Sequence, residues 1–189
     1  GRYRVVDVES DQPVNCHLET RGKWPEHYLS FVAQDIPSFG YRCYRIEQVS
    51  QEQSPEEPGK PSTTLENEVY HLEIDTKSGA VRSLIEKRTG RAFVHQGEAA
   101  GFNQFFHRSG ETLLHTRLEA CVLDSNRLFD RLVVRMAFEH GTLCTNYILY
   151  HGVPWLELLN AVNRTASHEP QCSWFSFPLA GDGHRWVYD

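Results

Sequence analysis

The sequence is short of several things, and each shortage removes a class of function. No apolar run approaches the ~20 residues that cross a bilayer as a helix, so no membrane partner is expected. No Lys/Arg cluster is longer than the pair Lys87-Arg88, and the net charge is −6. Nucleic-acid binding needs a basic patch that displaces counterions from phosphates, so DNA and RNA are not expected partners either. The opening Gly1-Arg2-Tyr3-Arg4 has no apolar core and is not expected to be a signal peptide. Without an initiator Met, and running straight into Val5 and Val6, it reads as an internal start.

Metal and nucleophile motifs are also missing. The cysteines are Cys16, Cys43, Cys121, Cys144 and Cys172, with no two within four residues, so there is no CxxC metal or redox motif. Their odd number and wide spread favour reduced, half-buried thiols. Ten histidines are scattered with no HxH or HxxxH pair, and they read as surface or sheet-edge residues. Neither a GxSxG nucleophile elbow nor a GxxxxGK[ST] phosphate loop occurs. The sequon Asn163-Arg164-Thr165 matters only in a secreted protein.

What is present is a supply of rigid, bulky side chains. Aromatic residues make up 12% of the chain and hydrophobic residues 40%, enough to fill a sizeable core and to argue against disorder. One boundary is plain. Residues 50–64 read SQEQSPEEPGKPSTT, with three Pro and no aliphatic or aromatic side chain, which is expected of a linker or an exposed loop. It divides the chain into residues 1–49 and 65–189.

Residues 1–49 read as strands of a small β-domain: Tyr3–Val8, Tyr28–Ala33 and Tyr41–Ile46, with a turn at Asp35–Gly40. Some fifty residues are too few for an independent core, so this part is expected to complete a sheet with upstream material. From Val69 the second part alternates, placing Tyr70, Leu72 and Ile74 on one face. Thr76–Gly79 is the expected turn and Ala80–Ile85 the return strand, followed by a second turn at Lys87–Arg91. Further strands are expected at Leu118–Asp124, Arg131–Phe138, Cys144–Tyr150, Trp155–Val162 and Trp174–Phe177. No stretch carries a long 3.6-residue period. Strands of this length and spacing predict an all-β, antiparallel sandwich.

Candidate chemistry is sparse. Glu66 and Glu68 could share a face as a carboxylate pair, but a solvated strand edge accounts for them better. Ala99–Gly110 mixes amides, aromatics and a histidine, the groups that meet sugar hydroxyls and C–H faces. On chemistry alone, a strand packed by three Phe is the stronger reading of that segment.

Five runs, in order, resemble those of family 38 glycoside hydrolases, the α-mannosidases. They are Phe31–Ala33 with Ile36–Arg42; Leu65–Glu68 with Thr76–Gly79, Ser83-Leu84 and Glu86–Arg91; Phe102–Phe106; Glu157–Arg164; and Trp174–Pro178. The resemblance implies the C-terminal β-region alone, the first half of a supersandwich related to galactose mutarotase. In that family an upstream α/β barrel carries zinc, nucleophile and acid. No catalytic residue, metal ligand or cofactor is therefore expected in this chain, and zinc belongs to the missing barrel. The family's β-domain lends a tyrosine to the sugar site from the region matching residues 102–107. That position falls on Phe105, which has no hydroxyl. The implied substrate-binding residues are Asn103, Gln104, Phe105 and His107, and the implied partners are an α-mannoside and the barrel.

Two other functions fit the same residues. One is a free-standing carbohydrate-binding module using Trp155, Trp174, Trp186 and Tyr188, although alternation places Trp155 and Trp174 in the core. The other is a mutarotase-like epimerase using His107 and Glu157 as an acid–base pair.

Overall fold

The structure is a computed structural model that describes residues 2–21, 26–49, 59–94 and 100–180. Among the described residues the chain is all-β, with antiparallel sheets and no helix. It forms two compact units, residues 1–57 with 125–129, and 58–124 with 130–189.

The first unit is built on β1 (Arg2–Asp7), which lies between β2 (Pro13–Val14) and β5 (Tyr44–Val49). Val5 pairs with both Val14 and Ile46, and Val5 and Val6 are buried. These β-branched side chains fit a pleated, half-buried surface. A hairpin of β3 (Cys16–Arg21) and β4 (Glu26–Phe31) sets Leu18 opposite Leu29. Sequence patterning left β3 unassigned, because its polar residues dilute the alternation. Strand β5 begins at Tyr44, not at the expected Tyr41. Just before it, Cys43 still accepts from the Val8 amide at 3.0 Å, and the Arg42 guanidinium bonds the Asp7 carboxylate and donates to the carbonyls of Gln34 and Asp35. Residues 125–129 belong to this unit, where His17 meets Phe129 edge-on at 5.1 Å.

The second unit holds three sheets around one core. The expected linker 50–64 ends earlier than its composition suggests. Residues 50–58 lie outside the described residues, but β6 (Lys60–Pro61) already pairs with β13 (Arg117–Ser125), and β7 (Thr64–Glu66) opens the next sheet. Polar composition did not prevent this, because β6 contributes backbone pairing and no buried side chain, while β7 is anchored by the buried Leu65. The order of the first sheet is β10 (Arg91–Ala92), β9 (Val81–Glu86), β8 (Tyr70–Ile74), β7.

The expected hairpin is present. Leu72 and Ile74 are buried on one face, and the turn is fixed by Asp75, which accepts from the Lys77 amide and the Ser78 hydroxyl. Gly79 closes the turn at φ 69°, and a Cβ there would sit 2.1 Å from Met136 Sδ. Only glycine meets both conditions.

The five-stranded sheet runs β16 (Leu156–Arg164), β15 (Gly141–Tyr150), β14 (Phe129–Phe138), β13, β6. The third sheet is β12 (Thr112–Leu114), β11 (Gln104–Ser109), β17 (Gln171–Ser176). Alternate residues of β14 and β15 (Leu132, Val134, Met136, Phe138; Leu143, Tyr147, Leu149) meet Phe105 and the Leu65–Leu84 face in a single buried cluster. The core ends abruptly at β16. From Leu159 to Arg164 every residue is exposed, on both faces of the strand.

Candidate functional site

Within the Ala99–Gly110 segment, of which Ala99 lies outside the described residues, Gln104–Ser109 forms strand β11. It enters through Phe102, which bridges to Val81. Asn103 follows in the left-handed region at φ 56°, a conformation that asparagine tolerates better than most residues. There it is 3% exposed and bound on both sides. Its Nδ2 donates to Tyr147 Oη at 3.1 Å and to Asn160 Oδ1 at 3.2 Å, while Asn160 Nδ2 donates back to Asn103 Oδ1 at 2.9 Å. Thr145 donates to the same Asn160 oxygen at 2.8 Å. Burial pushes the Tyr147 phenol up to about 12, so it stays neutral and accepts. Asn160 itself is exposed. The polar network therefore runs from the turn before β11 to the open edge strand.

Gln104 caps this turn, its Oε1 accepting from the Gly101 amide at 2.7 Å. Phe105 is 2% exposed and packs against Phe138 and Phe175. His107 is 0% exposed. Its Nδ1 lies 2.8 Å from Ser173 Oγ, and its Nε2 has no partner. Phe138 lies against the ring at 4.8 Å and His140 meets it edge-on at 6.1 Å. Burial, then the charge of Arg164, then His140 hold the imidazole below its ordinary value. Of the residues singled out from sequence, Asn103, Phe105 and His107 are buried and Gln104 half-buried, and all but Phe105 meet a polar partner.

The epimerase pair is not brought together. Glu157 accepts from Tyr150 Oη at 2.7 Å. It is an odd position of β16, whereas Asn160 and Arg164, the residues coupled to Asn103 and His107, are even and so lie on the other face. Glu66 and Glu68 also separate: Glu66 pairs with Lys87 at 2.6 Å and His71 at 3.0 Å, and Glu68 accepts from the Gly152 amide. Among the described residues no His, Cys, Asp and Glu side chains group as a metal site. All five cysteines are free.

The tryptophans depart from expectation. Trp155 is 54% and Trp174 41% exposed, and neither joins the core. Trp174 faces out of its sheet and stacks on Phe106 at 5.5 Å and 15°. Trp186 and Tyr188 lie outside the described residues.

An open groove of about 640 Å³ runs between the end of β16 and the start of β17, lined by residues 162–167 with Glu169 and Gln171. The sequon Asn163-Arg164-Thr165 forms one wall of it. Sequence reasoning missed Asn160 and Thr145, and also this groove. The one available signal was an Asn set within Leu158-Leu159-Asn160-Ala161-Val162, where a strand otherwise carries apolar residues. No protein-family model, curated protein or solved structure matches this chain.

Proposed function

We propose that this chain is a non-catalytic β-domain of an α-mannosidase-like glycoside hydrolase, which props the catalytic barrel and lines one side of its sugar site. The observation that carries this reading is the Asn103–Asn160 amide pair. The segment resembling the family's sugar-site contribution is a locked turn whose amides continue to an exposed strand. Planar amides offer both donors and acceptors to sugar hydroxyls. Phe105, buried among phenyl rings, supplies packing where the family tyrosine supplies a hydroxyl. In this reading zinc and both catalytic carboxylates belong to the barrel.

The test has two arms. The purified chain, given an aryl α-mannoside with and without zinc, is expected to give no turnover; chelator-sensitive hydrolysis would overturn the proposal. The encoding reading frame is expected to hold an upstream barrel, and a frame without one defeats it in favour of a binding module.

That second reading rests on a specific observation, the exposed Trp174 stacked on Phe106. Flat aromatic surface of this kind suits the C–H face of a pyranose. It requires the isolated chain to bind an immobilised glycan and Trp174→Ala to lose that binding.

A further inference from the structure

We infer that the groove between β16 and β17 is a binding site for a neutral polyhydroxylated ligand, a saccharide chain. Its volume of about 640 Å³ matches the roughly 300–1,000 Å³ of small-molecule sites. Its form is open along one side, which suits a chain lying across it.

The chemistry of the wall selects the ligand class. Arg164 and Glu169 both line the groove, and among the described residues neither is in an ion pair, with each other or with anything else. Elsewhere in the same unit opposite charges do pair, as Lys87 with Glu66 and Arg131 with Asp124. The guanidinium thus keeps its fork of N–H donors and the carboxylate its acceptor lone pairs. Their charges cancel, so an anion would meet Glu169 and a cation would meet Arg164. Vicinal hydroxyls, each both donor and acceptor, satisfy the two together.

One further group lines the groove, whereas Asn163, an odd position of β16, turns its amide to the face opposite Arg164. On the β17 side Gln171 lines the groove, and its Nε2 is buried beneath it without a hydrogen-bond partner. Val162 and the methyl of Ala166 are the aliphatic side chains in the wall, enough for one C–H face and too little for an apolar ligand. Gln171 and Ser173 share a face of β17, so the groove backs onto the Ser173–His107 contact.

This inference does not depend on the α-mannosidase reading, and the test keeps the two apart. The full chain, labelled for amide-resolved magnetic resonance, is titrated separately with mannobiose, cellobiose, maltose and inorganic phosphate. At least one disaccharide is expected to shift amides of residues 162–171 saturably, with phosphate causing no such shift. Arg164→Ala and Glu169→Ala are each expected to weaken that binding about tenfold or more, as loss of a hydrogen bond to a charged group does. Arg164→Lys, which keeps the charge and loses the fork, should fall between. Both positions sit on exposed chain, so unchanged melting temperatures will show the variants folded. No disaccharide response, a response confined to Phe106 and Trp174, tighter binding of phosphate, or affinity indifferent to Arg164 and Glu169 would each overturn the inference.

Discussion

Asn103, in the turn before β11, and Asn160, on β16, close a reciprocal amide pair, each donating to the other's carbonyl oxygen at 3.2 and 2.9 Å. The pair ties the turn before β11 to an edge strand, and Asn103 does this from φ 56°. Two costs are therefore separable. Asn103→Gly removes the hydrogen bonds but accepts the backbone, and should cost about 1–3 kcal/mol for the polar groups left unpaired. Asn103→Ala adds the left-handed penalty of a Cβ, roughly 1–2 kcal/mol more. Urea midpoints of the two variants measure the difference; an alanine variant as stable as the glycine one defeats the argument.

Gly79 and Gly90 make a matched pair, with φ of 69° and 70°. A Cβ at Gly79 meets Met136 Sδ at 2.1 Å, whereas at Gly90 nothing lies within 4 Å. Alanine at Gly90 should cost the backbone term alone, about 1–2 kcal/mol. Alanine at Gly79 should cost clearly more, because the buried thioether must move. Thermal melts of both variants check the order, and equal losses would show that Met136 gives way freely.

Leucines on the two kinds of strand should behave oppositely. Leu72→Ala empties a fully buried position and should cost about 2–5 kcal/mol. Leu159→Ala, on the exposed strand, should stay within about 0.5 kcal/mol. A large loss at Leu159, read by denaturant unfolding, would mean that this strand is covered in solution.

His107 predicts acid sensitivity above the carboxylate range. Its folded pKa lies below the ordinary 6.5, held there by burial, Arg164 and His140. The unfolded chain therefore binds the proton first, so stability is full above about 6.5 and falls as pH drops from there toward the folded value. His107→Phe should flatten the loss between pH 7.5 and 5.5 in unfolding midpoints. An equal loss in the variant would assign the effect to other histidines.

Much of the fold was legible because alternation survives wherever one face of a strand is buried. Tyr70–Ile74, the turn at Gly79 and the strands of the 130s and 140s follow that rule, with bounds shifted by up to three residues. It fails for β3, whose alternation is diluted by polar residues, and for Lys60–Pro61, whose pairing is a backbone matter. It also misplaced Trp155 and Trp174, since period two says which residues share a face but not whether that face is covered. The candidate site was half legible. Asn103 stood out by its company, but Asn160 lies 57 positions away, and only the register of β15 with β16 sets it beside Thr145. The groove owes its walls to the chain's passage from β16 in one sheet to β17 in another, which no local pattern encodes.

Met136 is the chain's one methionine, and it lies buried beneath the Gly79 turn. Peroxide reaches such a sulfur only when the core around it parts. Once the five thiols are blocked, each molecule can gain a single methionine oxygen, and gains it only after opening. Intact mass followed over time then becomes a clock that ticks once per molecule, timing the breathing of the larger unit without a label.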